Sequence, residues 1–306
     1  MSTAGSEPLA LLFPGQGAHD VKMLDGVREH SAFPGRYALV ADALGGSPLD
    51  AIAAGNVAYL NQNRVTALLT LLVSSISLDL FRERTGRRAD FLSGYSVGQW
   101  TALYAAGAVS FEQLVAIVAQ RSALMDACFA DVPGAMLAVI GLKADVLENL
   151  CDGLRAESHR VWVSNYNCVG QYTLAGTEEA VTRAEDALAA LKPKKVARVP
   201  VSGAWHTPLL GAAHAGFAGY LAAVALAPAE VPIVDNVTGA WLPAERPALD
   251  RQLARHLDHP VLWEQGMRAL LAAGAKRFVE IGYGNVLTKF GFFIDRSVEH
   301  QAFYVS

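Results

Sequence analysis

The apolar run LALLF, Leu9 to Phe13, breaks at Pro14, Gly15 and Gly17, which predicts a strand entering a loop whose amides can face a ligand. RRADFLSGYSVG repeats the pattern, and QWTALYAAGAV then takes up helical spacing, so strand, tight turn and helix follow one another. Between them VTALLTLLVSSISLDLF, Val65 to Phe81, is apolar but laced with Ser and Thr. It carries Asp79 and falls short of a bilayer span, so it predicts a buried core helix. Phe111 to Met125 is amphipathic, with Val115, Ile117, Val118 and Leu124 apolar and Arg121 among them.

After DVPGA the pattern changes. AMLAVIGL predicts a strand, KADVLENLCDGL a helix, HRVWVSNY and QYTLAG two strands, TEEAVTRAEDALAAL a helix capped by Thr177, and KKVARVPVS a strand. This β-α-β-β-α-β order is the ferredoxin-like pattern, and it suggests a small domain, residues 131–200, inserted in a larger one formed by residues 1–130 and 201–306. LLGAAHAGFAGYLAAVAL then predicts a helix, VPIVDNV a short strand closed by TGAWL, Pro260 to Ala273 a helix, and RFVEIGYGN a late strand ending in a glycine turn. No solenoid repeat or low-complexity tract interrupts the chain.

Composition narrows the class. The chain of 306 residues is 52% hydrophobic, enough to bury a sizeable α/β core. A formal charge of -4 gives no general attraction for nucleic acid. Two local basic clusters, Arg82 to Arg88 and Lys192 to Lys195, are either solvated ends or docking points for an acidic partner. Cys128, Cys151 and Cys168 have no metal-ligand spacing and leave an odd thiol, as expected of a reduced, cytoplasmic protein without a metal. MSTAGSEPLALLF lacks a basic start before its apolar residues and reads as a strand rather than a leader.

The candidate chemistry begins at Ser96, centred in the Gly-x-Ser-x-Gly frame of GYSVG. With 27 glycines in the chain, that frame arises by chance about one time in ten, so Ser96 needs partners. A serine hydroxyl becomes a nucleophile when a base takes its proton and donors stabilise the oxyanion. Of eight histidines, His206 follows the apolar ARVPVSGAW and precedes TPLL, on a strand-end turn that can project into a cleft.

LLFPGQGAH, SGYSVGQWTALYAAG, RSALM, NYNCVGQYTLAG, VPVSGAWHTPLL, HPVLW and EIGYGNVLT occur in an order that resembles the malonyl-CoA:acyl-carrier-protein transacylases and polyketide synthase acyltransferase domains. The resemblance runs from about Leu9 to Phe290. It implies a large α/β-hydrolase-like domain with a parallel sheet, and a discrete acyltransferase with Ser96 as nucleophile and His206 as general base. Main-chain oxygen near HPVLW, at His256 where relatives carry Gln, would orient the imidazole. The main-chain amides of Gln16 and Val97 would form the oxyanion hole.

The same resemblance sets Arg121 against the free carboxylate of a malonyl group, where its planar fork pairs both oxygens. Asn167 and Gln171 match a site-lining loop, or are turn-formers. Tyr95 stands where malonyl enzymes have His. Trp205 stands where they usually have Phe; it either favours unbranched malonyl over methylmalonyl or is a core aromatic. Ala18 and His19 depart from the common loop start, and His19 is given no role. Malonyl-CoA and the phosphopantetheine thiol of an acyl carrier protein are the implied substrates, with no bound cofactor and neither nucleic acid nor membrane as partner. The setting is fatty-acid, polyketide or malonate metabolism. The alternatives are an acyl-thioester hydrolase on the same scaffold, which has no need of Arg121, and transfer of another acyl group between carriers.

Overall fold

Strand β1 (Leu9–Phe13) is buried at every position, as an apolar run without alternation requires inside a parallel sheet. The computed structural model describes residues 7–304. Residues 1–6, which form the start of the stretch read as lacking a leader, and residues 305–306 lie outside the described residues. Helices α1 (Phe33–Leu44), α2 (Pro48–Ala53), α3 (Val57–Leu60) and α4 (Asn63–Thr85) follow β1. By length and composition α4 could cross a membrane, yet 83% of its most apolar window is buried inside the protein, packed on α1 and the later α5 and α6. It is the core helix that its Ser and Thr content suggested.

β2 (Phe91–Gly94) turns into α5 (Gly98–Ala105), and Ser110 with Gln113 forms a capping box on α6 (Phe111–Ala127). β3 (Gly134–Ile140), α7 (Ala144–Ala156), β4 (Val161–Cys168), β5 (Gln171–Thr177), α8 (Glu178–Leu191) and β6 (Lys195–Arg198) come next. A 3-10 turn at Pro208–Leu210 opens α9 (Gly211–Ala223). β7 (Ile233–Val234), α10 (Arg246–Arg255), α11 (Trp263–Ala272), β8 (Arg277–Ile281), α12 (Val286–Ile294) and β9 (Glu299–Phe303) complete the order.

Two sheets result. One is parallel with strand order β7-β2-β1-β8-β9, and the other is antiparallel with order β4-β5-β3-β6. The predicted α/β class with a parallel sheet is therefore the observed one. The antiparallel sheet buries its own apolar set, including Leu137, Val161 and Leu174, against Leu147 of α7 and Leu188 of α8. A link between the sheets runs through Val261, whose amide donates to Ser164 O at 2.9 Å and whose carbonyl accepts from Tyr166 N at 2.9 Å.

That link corrects one predicted boundary. The helix expected from Pro260 begins at Trp263, because the backbone of Val261 is already paired with β4. The strand expected over KKVARVPVS stops at Arg198, two residues before Pro200, which has no N–H for a ladder. α1, α2, α3, α10, α12 and β9 lie in stretches given no element by the hydrophobic pattern.

Candidate active site

Three neighbouring strands of the parallel sheet, β7, β2 and β1, end at the same edge, where their following residues meet. β1 delivers the Pro14–Gly17 loop, β2 delivers Tyr95 and Ser96, and β7 delivers Asp235 and Asn236. Glycine is required at both ends of GYSVG. A Cβ at Gly94 would lie 2.0 Å from Gly98 O, and one at Gly98 would lie 2.2 Å from Phe13 O. The turn can close only with those two glycines, so the frame is dictated by packing.

Ser96 Oγ stands 2.7 Å from His206 Nε2, and His206 Nδ1 stands 3.0 Å from the carbonyl oxygen of His256. A carbonyl only accepts, so Nδ1 carries the proton and Nε2 is left to accept from the serine hydroxyl. Both residues occupy the left-handed region, Ser96 at φ 51° and His206 at φ 61°. Non-glycine residues persist there only where surrounding structure holds them, at a cost of about 1–3 kcal/mol each. Burial, and then the Arg121 guanidinium, hold the His206 pKa down to about 3. The imidazole is consequently neutral, the form a general base needs, from mildly acidic pH upward.

Asn236 ties the edge together. Its side-chain oxygen accepts from Ser96 N at 2.7 Å, its amide nitrogen donates to Gly94 O, and its backbone N–H donates to Gln99 Oε1 at 2.9 Å. Gln99 in turn donates to Asp235 Oδ1 at 3.2 Å. Across from the elbow, a Cβ at Gly15 would lie 2.7 Å from Tyr95 O and 3.5 Å from Ser96 Cβ, so the loop carrying Gln16 is in contact with the nucleophile turn. The Gln16 side chain points away and donates to Asn63 O and Oδ1 at 3.0 and 3.1 Å. Among the described residues, the backbone amides of Gln16 and Val97 donate to no other group, which leaves both for a ligand.

Arg121 is fully buried on α6, and its Nε, Nη1 and Nη2 have no hydrogen-bond partner among the described residues. Burial pulls its pKa down to about 10, with Asp126 acting in the other direction. It is still charged at neutral pH. The guanidinium lies near enough to depress both His206 and His256. A buried cation with a carboxylate nearby but no direct ion pair or hydrogen bond is costly unless an anion arrives to pair with it.

The remaining predicted residues divide. Tyr95 Oη donates to Asn167 Oδ1 at 2.6 Å, and its ring meets Trp263 edge-on with centroids 5.5 Å apart, so these two belong to the site's wall. Gln171 opens β5 opposite Ile140 and Cys168 and makes no side-chain hydrogen bond to this group. Trp205 is packed in the core, edge-on to Phe129 at 5.4 Å, with Gly203 so close that a Cβ there would meet its ring at 2.3 Å. An open cleft of about 470 Å³ reaches His206 from outside, between Trp162, Val163 and Tyr166 of β4 and Pro208, Asp258 and Pro260 of the larger part. Among the described residues, no group of three or more His, Cys, Asp or Glu is arranged to hold a metal ion.

The acyl transferase domain pattern matches residues 40–292, well over half of the chain. The chain belongs to the acyltransferase family. This acyltransferase is 32% identical to the malonyl CoA-acyl carrier protein transacylase of Bacillus subtilis (strain 168), over 92% of this chain and 88% of that protein. Its fold is similar to that of the acyl-carrier-protein S-malonyltransferase of Burkholderia pseudomallei 1710b, with a TM-score of 0.91, 27% identity, and 98% and 97% of the two chains covered. It is also similar to a malonyl-transacylase solved in complex with its type II polyketide synthase acyl-carrier protein, with a TM-score of 0.89, 29% identity, and 96% and 94% covered. Asn236, Asp235 and Gln99 are the members of the acyltransferase site that sequence reasoning missed. The signal for Asp235 and Asn236 was polar residues directly after a short apolar strand, VPIV followed by DN.

Proposed function

We propose that this acyltransferase moves a malonyl group from coenzyme A to the phosphopantetheine thiol of an acyl carrier protein through an ester on Ser96. The observation that carries the reading is the pairing of a base-linked serine with a fully buried guanidinium that has no partner. A malonyl thioester supplies both missing elements, a carbonyl for Ser96 and a carboxylate for Arg121. The named malonyl relatives support the same substrate. A carrier as acceptor is supported by the transacylase solved with its carrier protein.

In this reading Ser96 Oγ attacks the thioester carbonyl while its proton passes to His206 Nε2. The oxyanion takes hydrogen bonds from the amides of Gln16 and Val97. Collapse breaks the C–S bond, and His206 returns the proton to the departing CoA sulfur. The carrier thiol then gives its proton to His206, its sulfur attacks the ester carbonyl, and Ser96 leaves with that proton. The His256 carbonyl keeps Nδ1 protonated throughout. No bound cofactor enters these steps; the CoA and carrier thioesters are substrates. Trp205 is packed on Phe129 and Gly203 and borders a small recess with Gln16 and Asn63, where its bulk would favour unbranched malonyl by about 1–3 kcal/mol.

The architecture is proposed to be a large α/β-hydrolase-like part with an inserted ferredoxin-like domain over residues 131–200. The strand-turn-helix elbow supports the first label, and the β4-β5-β3-β6 order supports the second. Asn167 shapes the wall through Tyr95, and Gln171 is the weaker member of that loop. A cytoplasmic site of action fits three free cysteines, of which burial pushes Cys151 to about 12 and Cys168 to about 11.

Intact-protein mass spectrometry after mixing with malonyl-CoA tests the reading. One malonyl group should appear on the protein, disappear in Ser96→Ala, and transfer to an added phosphopantetheinylated carrier. An adduct that persists in Ser96→Ala removes Ser96 as nucleophile. Release of the acyl group to water alone, with carrier present, makes the protein a thioester hydrolase.

A further inference from the structure

His256 is known so far only by its backbone carbonyl, yet its side chain is also unusual. The ring is fully buried, and neither Nδ1 nor Nε2 has a hydrogen-bond partner among the described residues. It meets His206 edge-on with centroids 5.4 Å apart and Trp100 edge-on at 6.0 Å. Buried polar atoms are almost always paired, so two orphaned nitrogens on one ring point to a missing partner. Arg121 contributes three more orphaned nitrogens at the same depth.

These groups share one neighbourhood. Burial, then Arg121, then His206 all disfavour the charged form of His256, while a weak hydrogen-bond contact of the ring with the Ser96 backbone acts in the opposite direction. His256 is therefore a neutral ring in the field of a cation. A neutral imidazole offers one N–H donor, and a carboxylate can accept several hydrogen bonds beyond the two taken by an arginine fork. A thioester carbonyl already has the amides of Gln16 and Val97 available, so the carboxylate end of the acyl group is the acceptor left without a second donor.

We infer that the His256 side chain is a specificity-determining residue that donates a hydrogen bond to the acyl group's free carboxylate, sharing that carboxylate with Arg121. The inference rests on the malonyl reading above and adds a second ligand to it. It gives His256 two separate jobs: the backbone oxygen orients His206, and the ring recognises the acyl group. Substitution separates them, because any side chain at this position keeps the backbone carbonyl.

The experiment measures Ser96 acylation rates with malonyl-CoA and acetyl-CoA by rapid quench and mass spectrometry, in wild type, His256→Phe, His256→Met and His256→Gln. Phe and Met both remove the ring nitrogens with different shapes, so the test does not depend on one variant folding. Either should lower the malonyl-to-acetyl rate ratio roughly ten- to a hundredfold, the range for a hydrogen bond to a charged group. Gln, which keeps an N–H donor, should restore most of the ratio. A ratio unchanged in the Phe and Met variants overturns the inference. So does an equal fall with both acyl groups, which would mean that the ring acts only through His206. A wild-type protein that is not acylated by malonyl-CoA at all refutes the function itself, a result visible before any variant is made.

Discussion

The two halves of the site differ in how completely their polar atoms are satisfied. Around Ser96 the serine and its base are held by partners, Oγ with His206, Nδ1 with the His256 carbonyl, and the serine amide with Asn236, and only the Gln16 and Val97 amides stay open. Among the described residues, the guanidinium nitrogens of Arg121 and both ring nitrogens of His256 have no hydrogen-bond partner. The satisfied half holds its geometry without substrate, as a preorganised catalyst should. The unsatisfied half reserves its interactions for the incoming acyl group, so recognition is paid for in the stability of the empty protein.

The strongest way to break this comparison is to spoil the satisfied half by shape alone. Gly94→Ala sets a methyl group 2.0 Å from Gly98 O, and acylation by any acyl-CoA should fall at least about a hundredfold. Normal rates in that variant would mean that the elbow is looser than its packing implies. The next effect comes from the other half. Arg121→Met should lower the malonyl-to-acetyl preference about ten- to a hundredfold while raising the melting midpoint of the empty protein by the equivalent of about 1 kcal/mol or more. A destabilised Arg121→Met protein would show that the guanidinium is paired after all.

A smaller effect joins the halves through pH. His206 works as a base when neutral, so acylation is lost as pH falls through its pKa, held to about 3 by burial and Arg121. A malonyl carboxylate neutralises Arg121 and removes one of those two causes. The acidic limb should therefore lie at higher pH for bound malonyl-CoA than for bound acetyl-CoA, and coincident limbs would uncouple Arg121 from the base. For stability, the depressed His206 pKa means that the unfolded chain takes up the proton first, so stability falls as pH drops from about 6.5 toward 3. The smallest effect concerns backbone strain. Ser96→Gly should be more stable than Ser96→Ala by about 1 kcal/mol, the reverse of the usual order, because φ 51° suits glycine.

Much of this was legible in the chain, and the reasons are specific. Unbroken apolar runs such as LALLF marked parallel strands, and the β-α-β-β-α-β order after DVPGA marked the four strands of the antiparallel sheet. β9 was hidden because EHQAF is a sheet-edge strand with little to bury. α10 was hidden because RPALDRQLAR buries only Leu249, Leu253 and Ala254. Ser96 stood out through its Gly-x-Ser-x-Gly frame and His206 through its strand-end turn, whereas Arg121 was singled out only by the family resemblance. Asn236 escaped because its job is to hold a backbone amide, a task that leaves no motif. The orphaned ring of His256 was equally invisible, since burial without a partner is a property of three dimensions.

The site is assembled from segments spread across nearly the whole chain: Gln16 from the loop after β1, Ser96 from the turn after β2, Arg121 from α6, His206 from the loop after β6, and Asn236 and His256 from the last third. Contacts of such long sequence separation form late. A growing chain on the ribosome, or one cut anywhere before His256, lacks the oxygen that steers His206. The geometry around Ser96 therefore exists only once these distant segments have folded together.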